Sequence, residues 1–344
     1  MKFKNILVTG GSGFIGSNFI HNIISSENTN VFNLDKLTYA GNEENNKSIS
    51  QNKKYNFIHG DICDSSLIKK TLSENNIDLI VHFAAESHVD KSIDDPGEFL
   101  NTNILGTYNL LECASWHLKK MKNFVFLHVS TDEVYGSLEI GERPFKETNQ
   151  IQPNSPYSAS KASSDMLVRA WHHTYKLPTL TTNCSNNYGP FQYPEKLIPL
   201  TIDNAINLKP IKLYGDGSNI RDWLFVNDHC SGIKSVINNG KFGEIYNIGG
   251  LNEFSNLDIV KTICKLLDEK NHHLLVKKSI KSYSDLITFV EDRPGHDFRY
   301  SVDPSKLQKE LGWSPEITFD EGISTTIDWY LDNQDWINAL KRQN

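Results

Sequence analysis

The chain has 344 residues, of which 38% are hydrophobic and 22% are charged, and its formal net charge is -7. This length corresponds to about two ordinary domains, and the composition is typical of a globular protein. The acidic balance argues against a nucleic-acid surface, which needs a basic patch, and the sequence has no apolar run of the roughly 18 residues that a membrane helix requires.

The start of the chain and its cysteines predict a cytoplasmic protein with reduced thiols. Met1 leads directly into a strand-like run, without the cleavage site of a signal peptide. The five cysteines are scattered and form no Cys-x-x-Cys pair, so they predict neither a disulfide framework nor a zinc site. Two histidine pairs, His172-His173 and His272-His273, lack the spacing that places ligands on one helical face, and we expect no metal.

A strand, a glycine-rich turn and a helix open the chain. The buried run Lys4 to Thr9 leads into Gly10-Gly11-Ser12-Gly13-Phe14-Ile15-Gly16 and then a helical stretch from Ser17 to Ser25. Glycines allow a tight turn and close approach of the backbone to a pyrophosphate, which the free N–H groups of the helix N-terminus then bind. The spacing is G-x-x-G-x-x-G rather than the usual G-x-G-x-x-G, so the turn alone is weak evidence.

The second strand ends in an acid that favours one dinucleotide over another. Val31 to Leu34 ends at Asp35, about 20 residues beyond the last glycine, where an acid binds the adenosine ribose in dinucleotide-binding folds. This carboxylate would repel a 2′-phosphate and therefore favours NAD over NADP, while the neighbouring Lys36 opposes that preference. Residues Asn42 to Lys54 are interpreted as a polar loop that covers the adenosine.

Strands and helices continue to alternate after this loop. Tyr55 to Ile58 and Asp78 to Phe83 are typical of buried strands, and Asn101 to Lys119 is typical of a long amphipathic helix. The alternation predicts an α/β fold, a Rossmann-type doubly wound parallel sheet with a smaller mixed α/β C-terminal lobe. We place an NAD-binding domain with the catalytic residues at 1–190 and a ligand-binding lobe, interleaved with it, at 191–344.

One apolar run ends abruptly in polar residues. Phe124 to Leu127 is followed by His128-Val129-Ser130-Thr131-Asp132-Glu133-Val134-Tyr135-Gly136. The carboxyl ends of strands face the ligand crevice in open α/β sheets. Neighbouring residues of an extended chain point to opposite faces, so Asp132 and Glu133 converge on one ligand only if the chain turns, which Gly136 favours. In isolation the segment fits an acidic loop equally well.

Tyr157 and Lys161 form an i, i+4 pair on one face of a helix that follows Pro153-Asn154-Ser155-Pro156. A phenol is a poor base at neutral pH, and an ammonium group beside it stabilises the phenolate. Lowering a tyrosine pKa by about 3 units corresponds to about 4 kcal/mol, which a lysine and a nicotinamide cation together could supply. The pair alone also fits a packed tyrosine beside an exposed lysine.

Basic residues next to glycines, prolines and aromatics mark the last third of the chain. An arginine fork binds phosphate in a bidentate way, so Arg221 and Arg293 are natural partners for an anionic sugar nucleotide in an otherwise acidic protein. Each of them singly also fits a solvated salt bridge.

Together these segments resemble the nucleotide-sugar 4,6-dehydratases of the extended short-chain dehydrogenase/reductase family. The resemblance covers essentially the whole chain and rests on Thr9 to Gly16, Ser130 to Gly136, Tyr157 to Lys161, Asn183 to Pro190, Arg221-Asp222-Trp223 and Arg293-Pro294-Gly295-His296. The Thr-Asp-Glu triplet is its most specific part, since epimerase and decarboxylase relatives carry other residues at the two acid positions. Lys91 departs from the arginine that the family often has, at a place outside the chemistry.

The resemblance implies a lyase that uses NAD and acts on dTDP-glucose or UDP-glucose, with the base left open. Tyr157, supported by Thr131 and Lys161, would take the proton from the hydroxyl on carbon 4 during oxidation there. Glu133 would remove the proton on carbon 5 as general base, and Asp132 would protonate the departing hydroxyl on carbon 6 as general acid. Hydride then returns to carbon 6, giving a 4-keto-6-deoxyglucose nucleotide that feeds deoxysugar biosynthesis, rhamnose among the products.

The resemblance also carries over two sets of contacts. The cofactor set is Gly10, Gly13, Phe14, Ile15, Gly16, Asp35, Lys36, Thr38, Asp61, Ile62, Ala84, Ser87, Thr102, Tyr157, Lys161 and Asn187. The substrate set is Ser87, Thr131, Asn186, Asn187, Lys196, Leu197, Lys212, Tyr214, Arg221, Asn256, Arg293 and His296.

The family further implies a homodimer in which the helices Asn101 to Lys119 and Tyr157 to Tyr175 pack against their symmetry mates as a four-helix interface. Nucleic acid and membrane are not expected as partners. Two other functions remain open, a nucleotide-sugar 4-epimerase or decarboxylase of the same family and a non-catalytic NAD-binding protein of the same fold. The acids Asp132 and Glu133 separate the first of these from a dehydratase.

Overall fold

A computed structural model of the chain describes residues 2–278, 280–292 and 294–343. The strands are β1 (Asn5–Thr9), β2 (Asn30–Asp35), β3 (Tyr55–His59), β4 (Leu79–His82), β5 (Val125–Thr131), β6 (Thr179–Cys184), β7 (Asn186–Tyr188), β8 (Ile211–Tyr214), β9 (Ile220–Phe225), β10 (Ile245–Ile248), β11 (Glu253–Ser255), β12 (Ile287–Val290) and β13 (Arg299–Tyr300). The α-helices are α1 (Phe14–Ser26), α2 (Ser65–Glu74), α3 (Val89–Asp94), α4 (Gly97–Phe99), α5 (Thr107–Leu118), α6 (Pro156–Tyr175), α7 (Leu197–Ile206), α8 (Val226–Asn239), α9 (Asn256–Lys270), α10 (His272–Lys278), α11 (Ser305–Leu311), α12 (Phe319–Asp332) and α13 (Gln334–Gln343). Segments of 3₁₀-helix span Glu43–Ile49, Asp132–Tyr135 and Tyr283–Leu286, and a π-helix spans Leu100–Gly106.

A seven-stranded sheet in the order β10-β6-β5-β4-β1-β2-β3 forms the centre of the fold. All its neighbouring strands pair in parallel. The chain runs outward from β1 through β2 and β3, then returns to place β4 on the other side of β1. Ligands bind at such a reversal of strand order in doubly wound sheets. The predicted Rossmann-type α/β class is confirmed.

Helices cover both faces of this sheet, which is why its central strands are buried along their whole length. All seven residues of β5 and all four of β4 are buried. On one face, Phe19 and Ile23 of α1 pack in the same core cluster as Ile233 of α8. On the other face, Leu111 of α5 and Trp171 of α6 share a second cluster. Among the described residues, no helix is both long enough and apolar enough to cross a membrane.

The C-terminal part of the chain contributes to two cores. Strands β8 and β9 and helices α7, α9 and α12 enclose a core of their own, and β8 pairs with β12 in a separate two-stranded sheet. Helix α8 and strand β10, however, lie after residue 190 and complete the central sheet. The predicted domain boundary at residue 190 therefore stays a prediction. After that residue the chain contributes to both the central sheet and the second core.

The predicted polar loop from Asn42 to Lys54 is wrong, because its first half is the 3₁₀-helix Glu43–Ile49. Asn42 caps this helix by accepting a hydrogen bond from the N–H of Glu44 at 2.8 Å. Asn45 is buried and donates to the carbonyl of Ser12 at 2.8 Å, while the indole N–H of Trp336 donates to the Asn45 side chain at 2.8 Å. The segment backs the glycine-rich turn through these contacts, which local sequence does not reveal.

The long helix predicted from Asn101 to Lys119 begins as the π-helix Leu100–Gly106 and is an α-helix only over α5. Asn103 lies in the π-helical part and is buried. Its side chain accepts from the N–H of Glu86 at 2.9 Å and donates to the hydroxyl of Ser160 at 2.8 Å. The irregular turn thus joins the end of β4 to α6 beside the cleft described next.

Candidate active site

A cleft of about 310 Å³ opens at the carboxyl ends of the central strands. All the predicted cofactor residues line it, as do five of the predicted substrate residues, Ser87, Thr131, Asn186, Asn187 and Lys196. The other predicted substrate residues among the described ones lie outside this lining, namely Leu197, Lys212, Tyr214, Arg221, Asn256 and His296. Arg293 lies outside the described residues. The predicted catalytic residues Thr131, Asp132, Glu133, Tyr157 and Lys161 all face the cleft.

The glycine-rich turn has a backbone that no other residue type would fit. Gly10 has a φ of 72°, and a Cβ there would lie 2.6 Å from the backbone nitrogen of Ala84. A Cβ on Gly16 would lie 2.3 Å from the carbonyl oxygen of Gly10. Helix α1 starts directly after its N-cap Gly13, which offers no side-chain hydrogen bond. The turn therefore fits a pyrophosphate, whose oxygens would accept hydrogen bonds from the uncapped N–H groups of α1.

The end of β2 fits an adenosine ribose without a 2′-phosphate. The Asp35 carboxylate accepts the N–H of Ser12 at 2.9 Å and that of Leu37 at 2.8 Å. Burial raises the pKa of Asp35, and these two donors oppose the rise. Lys36, which could have attracted a phosphate, lies with its Nζ 2.9 Å from Asp61 Oδ2 and is neutralised there.

The turn expected after β5 is confirmed. Thr131 ends the strand, accepts the N–H of Glu133 with its hydroxyl at 3.4 Å and so starts the 3₁₀-turn Asp132–Tyr135. Gly136 then has a φ of 91°, and a Cβ there would lie 2.5 Å from the carbonyl oxygen of Gln152. Both acids consequently line the same cleft.

The two adjacent acids have unlike surroundings. Asp132 is 2% exposed, and its Oδ1 accepts the Thr131 hydroxyl at 3.3 Å. Burial, with a smaller contribution from the neighbouring Glu133 carboxylate, raises the pKa of Asp132 well above its ordinary value. Glu133 is only half-buried. The site can therefore hold a proton on Asp132 beside a second carboxyl group that is open to the cleft.

Helix α6 presents Tyr157 and Lys161 to the cleft from its first two turns. Ser155 caps the helix by accepting the N–H of Ser158 at 3.1 Å, and Pro156 occupies the first helical position. Lys161 Nζ donates to the carbonyl of Val129 at 2.9 Å, which fixes the ammonium beneath the site. Burial lowers the pKa of Lys161 to about 8.

The chain by itself does not lower the pKa of Tyr157. Burial, followed by the nearby Glu133 carboxylate, raises that pKa well above its ordinary value. The lowering expected from the sequence relied on a lysine and a nicotinamide cation acting together. The protein alone thus holds Tyr157 as a phenol, and a phenolate here requires positive charge from a bound ligand.

Several cleft residues were absent from the sequence predictions, among them Ser130, Cys184, Gln192, Tyr193 and Glu195. Ser130 and Cys184 lie at the carboxyl ends of β5 and β6, so the end-of-strand rule could have found them. The others lie in the loop after β7, which carries no motif. In that loop Glu195 accepts the hydroxyl of Tyr39 at 3.2 Å, closing one wall of the cleft.

Lys91, the departure from the family pattern, lies beside that wall. Its Nζ is 3.4 Å from the centre of the Tyr39 ring. The ammonium is thus engaged in a cation–π contact next to the cleft and does not enter it.

Arg221 is anchored in the second lobe. Its guanidinium donates to the carbonyls of Ile220, Phe298 and Asp297 at 2.7, 3.2 and 2.9 Å and lies 4.4 Å from the centre of the Tyr300 ring. The phosphate contact predicted for Arg221 stays a prediction.

Comparison with known proteins identifies the family of the chain. The family described as GDP-mannose 4,6 dehydratase matches residues 7–326. The dTDP-glucose 4,6-dehydratase of Salmonella typhimurium is 53% identical, over 98% of this chain and 95% of that protein. The chain belongs to the nucleotide-sugar 4,6-dehydratases. The resemblance seen in the sequence is confirmed.

Solved structures of nucleotide-sugar 4,6-dehydratases have the same fold. The dTDP-glucose 4,6-dehydratase DesIV of Streptomyces venezuelae, with NAD and dTDP bound, is 42% identical with a TM-score of 0.88 and covers 98% of this chain and 99% of its own. The dTDP-glucose 4,6-dehydratase of Bacillus anthracis, in complex with NAD, is 44% identical with a TM-score of 0.85 and the same coverage. Both likenesses extend over the two lobes.

Replacing the buried acid should change how stability depends on pH. An unfolded Asp132 has a pKa near 3.9, whereas the folded value is well above the ordinary one. At a pH between these two pKa values, the folded chain binds one proton more than the unfolded chain. The free energy of unfolding therefore falls as pH rises, by up to about 1.4 kcal/mol per pH unit. We expect Asp132→Asn to lose less stability than wild type between about pH 4 and neutral pH, measured by denaturant unfolding.

A control of opposite sign is available in the same chain. The hydroxyl and the N–H of Ser218 lower the pKa of the exposed Asp216. The free energy of unfolding of wild type therefore rises with pH through the acid range because of Asp216, and Asp216→Asn should lack that rise. Identical pH dependence in Asp132→Asn and wild type would contradict the assignment of a high pKa to Asp132.

Proposed function

We propose that the chain is an NAD-dependent dTDP-glucose 4,6-dehydratase, a hydro-lyase that forms the 4-keto-6-deoxyglucose nucleotide. The observation that carries this proposal is the pair of unlike acids, Asp132 and Glu133, in one cleft with Tyr157 and Lys161. An epimerase needs no such pair. The relatives named dTDP-glucose 4,6-dehydratase at 52 to 53% identity favour the thymidine nucleotide over UDP-glucose.

The residues around the glycine-rich turn would hold the cofactor. The N–H groups at the start of α1 would bind the pyrophosphate, and the Asp35 carboxylate, with lone pairs to spare, would accept the ribose hydroxyls. The chemistry that bound NAD would supply there is acceptance of a hydride from carbon 4 of the sugar and its return to carbon 6.

The proton transfers would be divided among four side chains. Tyr157 accepts the proton of the hydroxyl on carbon 4, and the Lys161 ammonium stabilises the phenolate that does so. The ketone formed at carbon 4 acidifies the proton on carbon 5, and Glu133 removes it and gives a proton back to carbon 5 when the hydride returns to carbon 6. Asp132, which burial keeps protonated, gives its proton to the hydroxyl leaving carbon 6, so that water departs.

The direct test is turnover of purified protein on dTDP-glucose and on UDP-glucose, followed by mass spectrometry of the nucleotide sugar. We expect dTDP-glucose to lose the mass of one water, with no stoichiometric oxidant or reductant, and UDP-glucose to react more slowly. A product of unchanged mass would indicate an epimerase. No reaction with either substrate would indicate a binding protein.

Glu133→Gln should separate oxidation from elimination, because it removes the base for carbon 5 and leaves Tyr157 and Lys161 in place. General-base catalysis contributes about 10² to 10⁴-fold, so the dehydrated product should form slower by about that factor. The 4-ketoglucose nucleotide should accumulate together with the absorbance of reduced nicotinamide. Tyr157→Phe is the contrasting variant, in which neither signal should develop. Wild-type product formation by Glu133→Gln would refute the mechanism.

We also propose that the chain forms a homodimer through α5 and α6, as the family resemblance implies. Five apolar side chains on this helix pair and the π-helix before α5 are exposed, namely Leu100 at 47%, Leu105 at 56%, Tyr108 at 46%, Met166 at 47% and Tyr175 at 57%. Exposed apolar side chains on one helix pair favour association, and a symmetric dimer would bury them against their own copies.

Met166→Glu should therefore give a monomer in sedimentation velocity at micromolar concentration, with thermal unfolding showing an intact fold. Ile140→Glu is the matched control, because Ile140 is also an exposed apolar residue, at 78%, but lies in the loop after the 3₁₀-turn Asp132–Tyr135 and belongs to neither helix, so the dimer should stay intact. A monomeric wild type would contradict the proposed dimer.

A further inference from the structure

A third ionisable residue continues the row formed by Tyr157 and Lys161. Asp165 follows Lys161 by four residues on α6, which places all three side chains along one face of the helix. Unlike the other two, Asp165 does not line the cleft. It is 3% exposed and lies between α6 and the ends of β5 and β6.

The Asp165 carboxyl has few polar partners for so buried a group. Neither of its oxygens has an aligned hydrogen bond within the described part of the chain. Ser130 and Asn183, on β5 and β6, lie close enough to lower its pKa, although neither is well aligned with it. A buried carboxylate without strong hydrogen bonds is stable only next to a cation. The question is which neighbour supplies the positive charge.

The histidines behind the site do not supply it. His128 Nε2 on β5 lies 3.2 Å from Asp165 Oδ1 but is not aligned as a hydrogen-bond donor. Burial, with the nearby Lys161 charge, holds the pKa of His128 well below its ordinary value. His82 on β4 is 5.2 Å from the His128 ring, and burial likewise keeps its pKa low. Both rings are therefore neutral.

The remaining titratable groups that face this cluster are not cations either. Burial raises the pKa of the Cys184 thiol on β6 and of the Tyr135 phenol after β5, so both stay protonated and uncharged. Glu147, whose carboxylate acts on Tyr135, is an acid. Among the described groups around Asp165, Lys161 is thus the cation. Of the groups that raise the pKa of Lys161, the Asp165 carboxylate contributes most.

We propose that Asp165 is a positioning residue that keeps the Lys161 ammonium charged and directed at Tyr157. The Val129 carbonyl holds Lys161 from β5 at 2.9 Å, and Asp165 supplies the countercharge one helical turn below. The inference rests on the proposed function, because it assigns Asp165 to the base that takes the proton from carbon 4.

The pKa values of Lys161 and Asp165 define the pH range in which both groups are charged. Burial lowers the pKa of Lys161 to about 8 even with Asp165 beside it, and raises the pKa of Asp165 to about 7. The carboxylate and the ammonium coexist between these values. Replacing Asp165 by a neutral residue lowers the Lys161 pKa further, so the lysine loses its charge near neutral pH and the Tyr157 phenolate loses its stabilisation.

The test is the ionisation of Tyr157 in the NAD complex, measured without sugar from the phenolate absorbance over a pH series. The corresponding Tyr157→Phe protein is subtracted so that the other tyrosines cancel. We expect Asp165→Asn to move the Tyr157 titration to higher pH, with about a tenfold loss of phenolate at a given pH for each unit moved. The kcat on dTDP-glucose should fall by a similar factor with KM little changed.

Three further variants make the result decisive. Asp165→Glu keeps a carboxylate on the same face and should keep the wild-type titration, and Asp165→Ser provides a second neutral side chain if the asparagine variant does not fold. Asp203→Asn is the matched control, since Asp203 on α7 is also buried beside a lysine, with Lys341 Nζ at 2.7 Å, but lies away from the cleft. It should change nothing.

An unchanged Tyr157 titration in a folded neutral variant would overturn the proposal, and so would an equal shift in Asp165→Glu, which would point to packing alone. Because the titration uses no sugar, it can be read even if dTDP-glucose is not converted. Failure of the proposed dehydratase activity and failure of the role of Asp165 are therefore distinguishable.

Discussion

The close approach of the turn after β1 to the end of β4 is the constraint on which the site depends. The two strands flank the point where the strand order reverses, and Gly10 sits so near the backbone of Ala84 that any side chain would force them apart. The cleft exists because the backbones meet here without side chains between them. The glycine-rich turn after β1 and the end of β4 can both line the cleft only because of this contact.

Burial is the second organising effect, and it acts in opposite directions on acids and bases. It raises the pKa of Asp132 and of the Tyr157 phenol, which favours their protonated forms. It lowers the pKa of Lys161, which disfavours the charged ammonium. The protein alone therefore rests with its acid protonated and its phenol intact. Chemistry at this site needs charge that comes with a ligand, which ties reactivity to occupancy of the cleft.

Features set by short-range chemistry were predictable from the sequence. The glycine-rich turn, Asp35, the turn at Asp132 and the face shared by Tyr157 and Lys161 each follow from residue types a few positions apart. The first three also lie at the strand ends where such residues collect in parallel sheets, and the Tyr157 and Lys161 pair lies in the first turns of α6.

Features set by distant contacts were not predictable. The 3₁₀-helix Glu43–Ile49 depends on Asn45 binding the turn before α1, and Arg221 is held by carbonyls some 76 residues away, at Asp297 and Phe298. Asp165 carries no motif, since an acid one turn after a lysine is commonplace on exposed helices. Only its burial between α6 and two strands distinguishes it.

The contact between Trp336 and Asn45 joins two segments that are synthesised at different times. The glycine-rich turn precedes Asn45 in the chain, whereas Trp336 is synthesised 291 residues after Asn45. The turn can fold against β4 early, but the 3₁₀-helix that backs it gains its indole partner only when the C-terminal helix arrives. Completion of the nucleotide-binding wall is thereby coupled to completion of synthesis through α13.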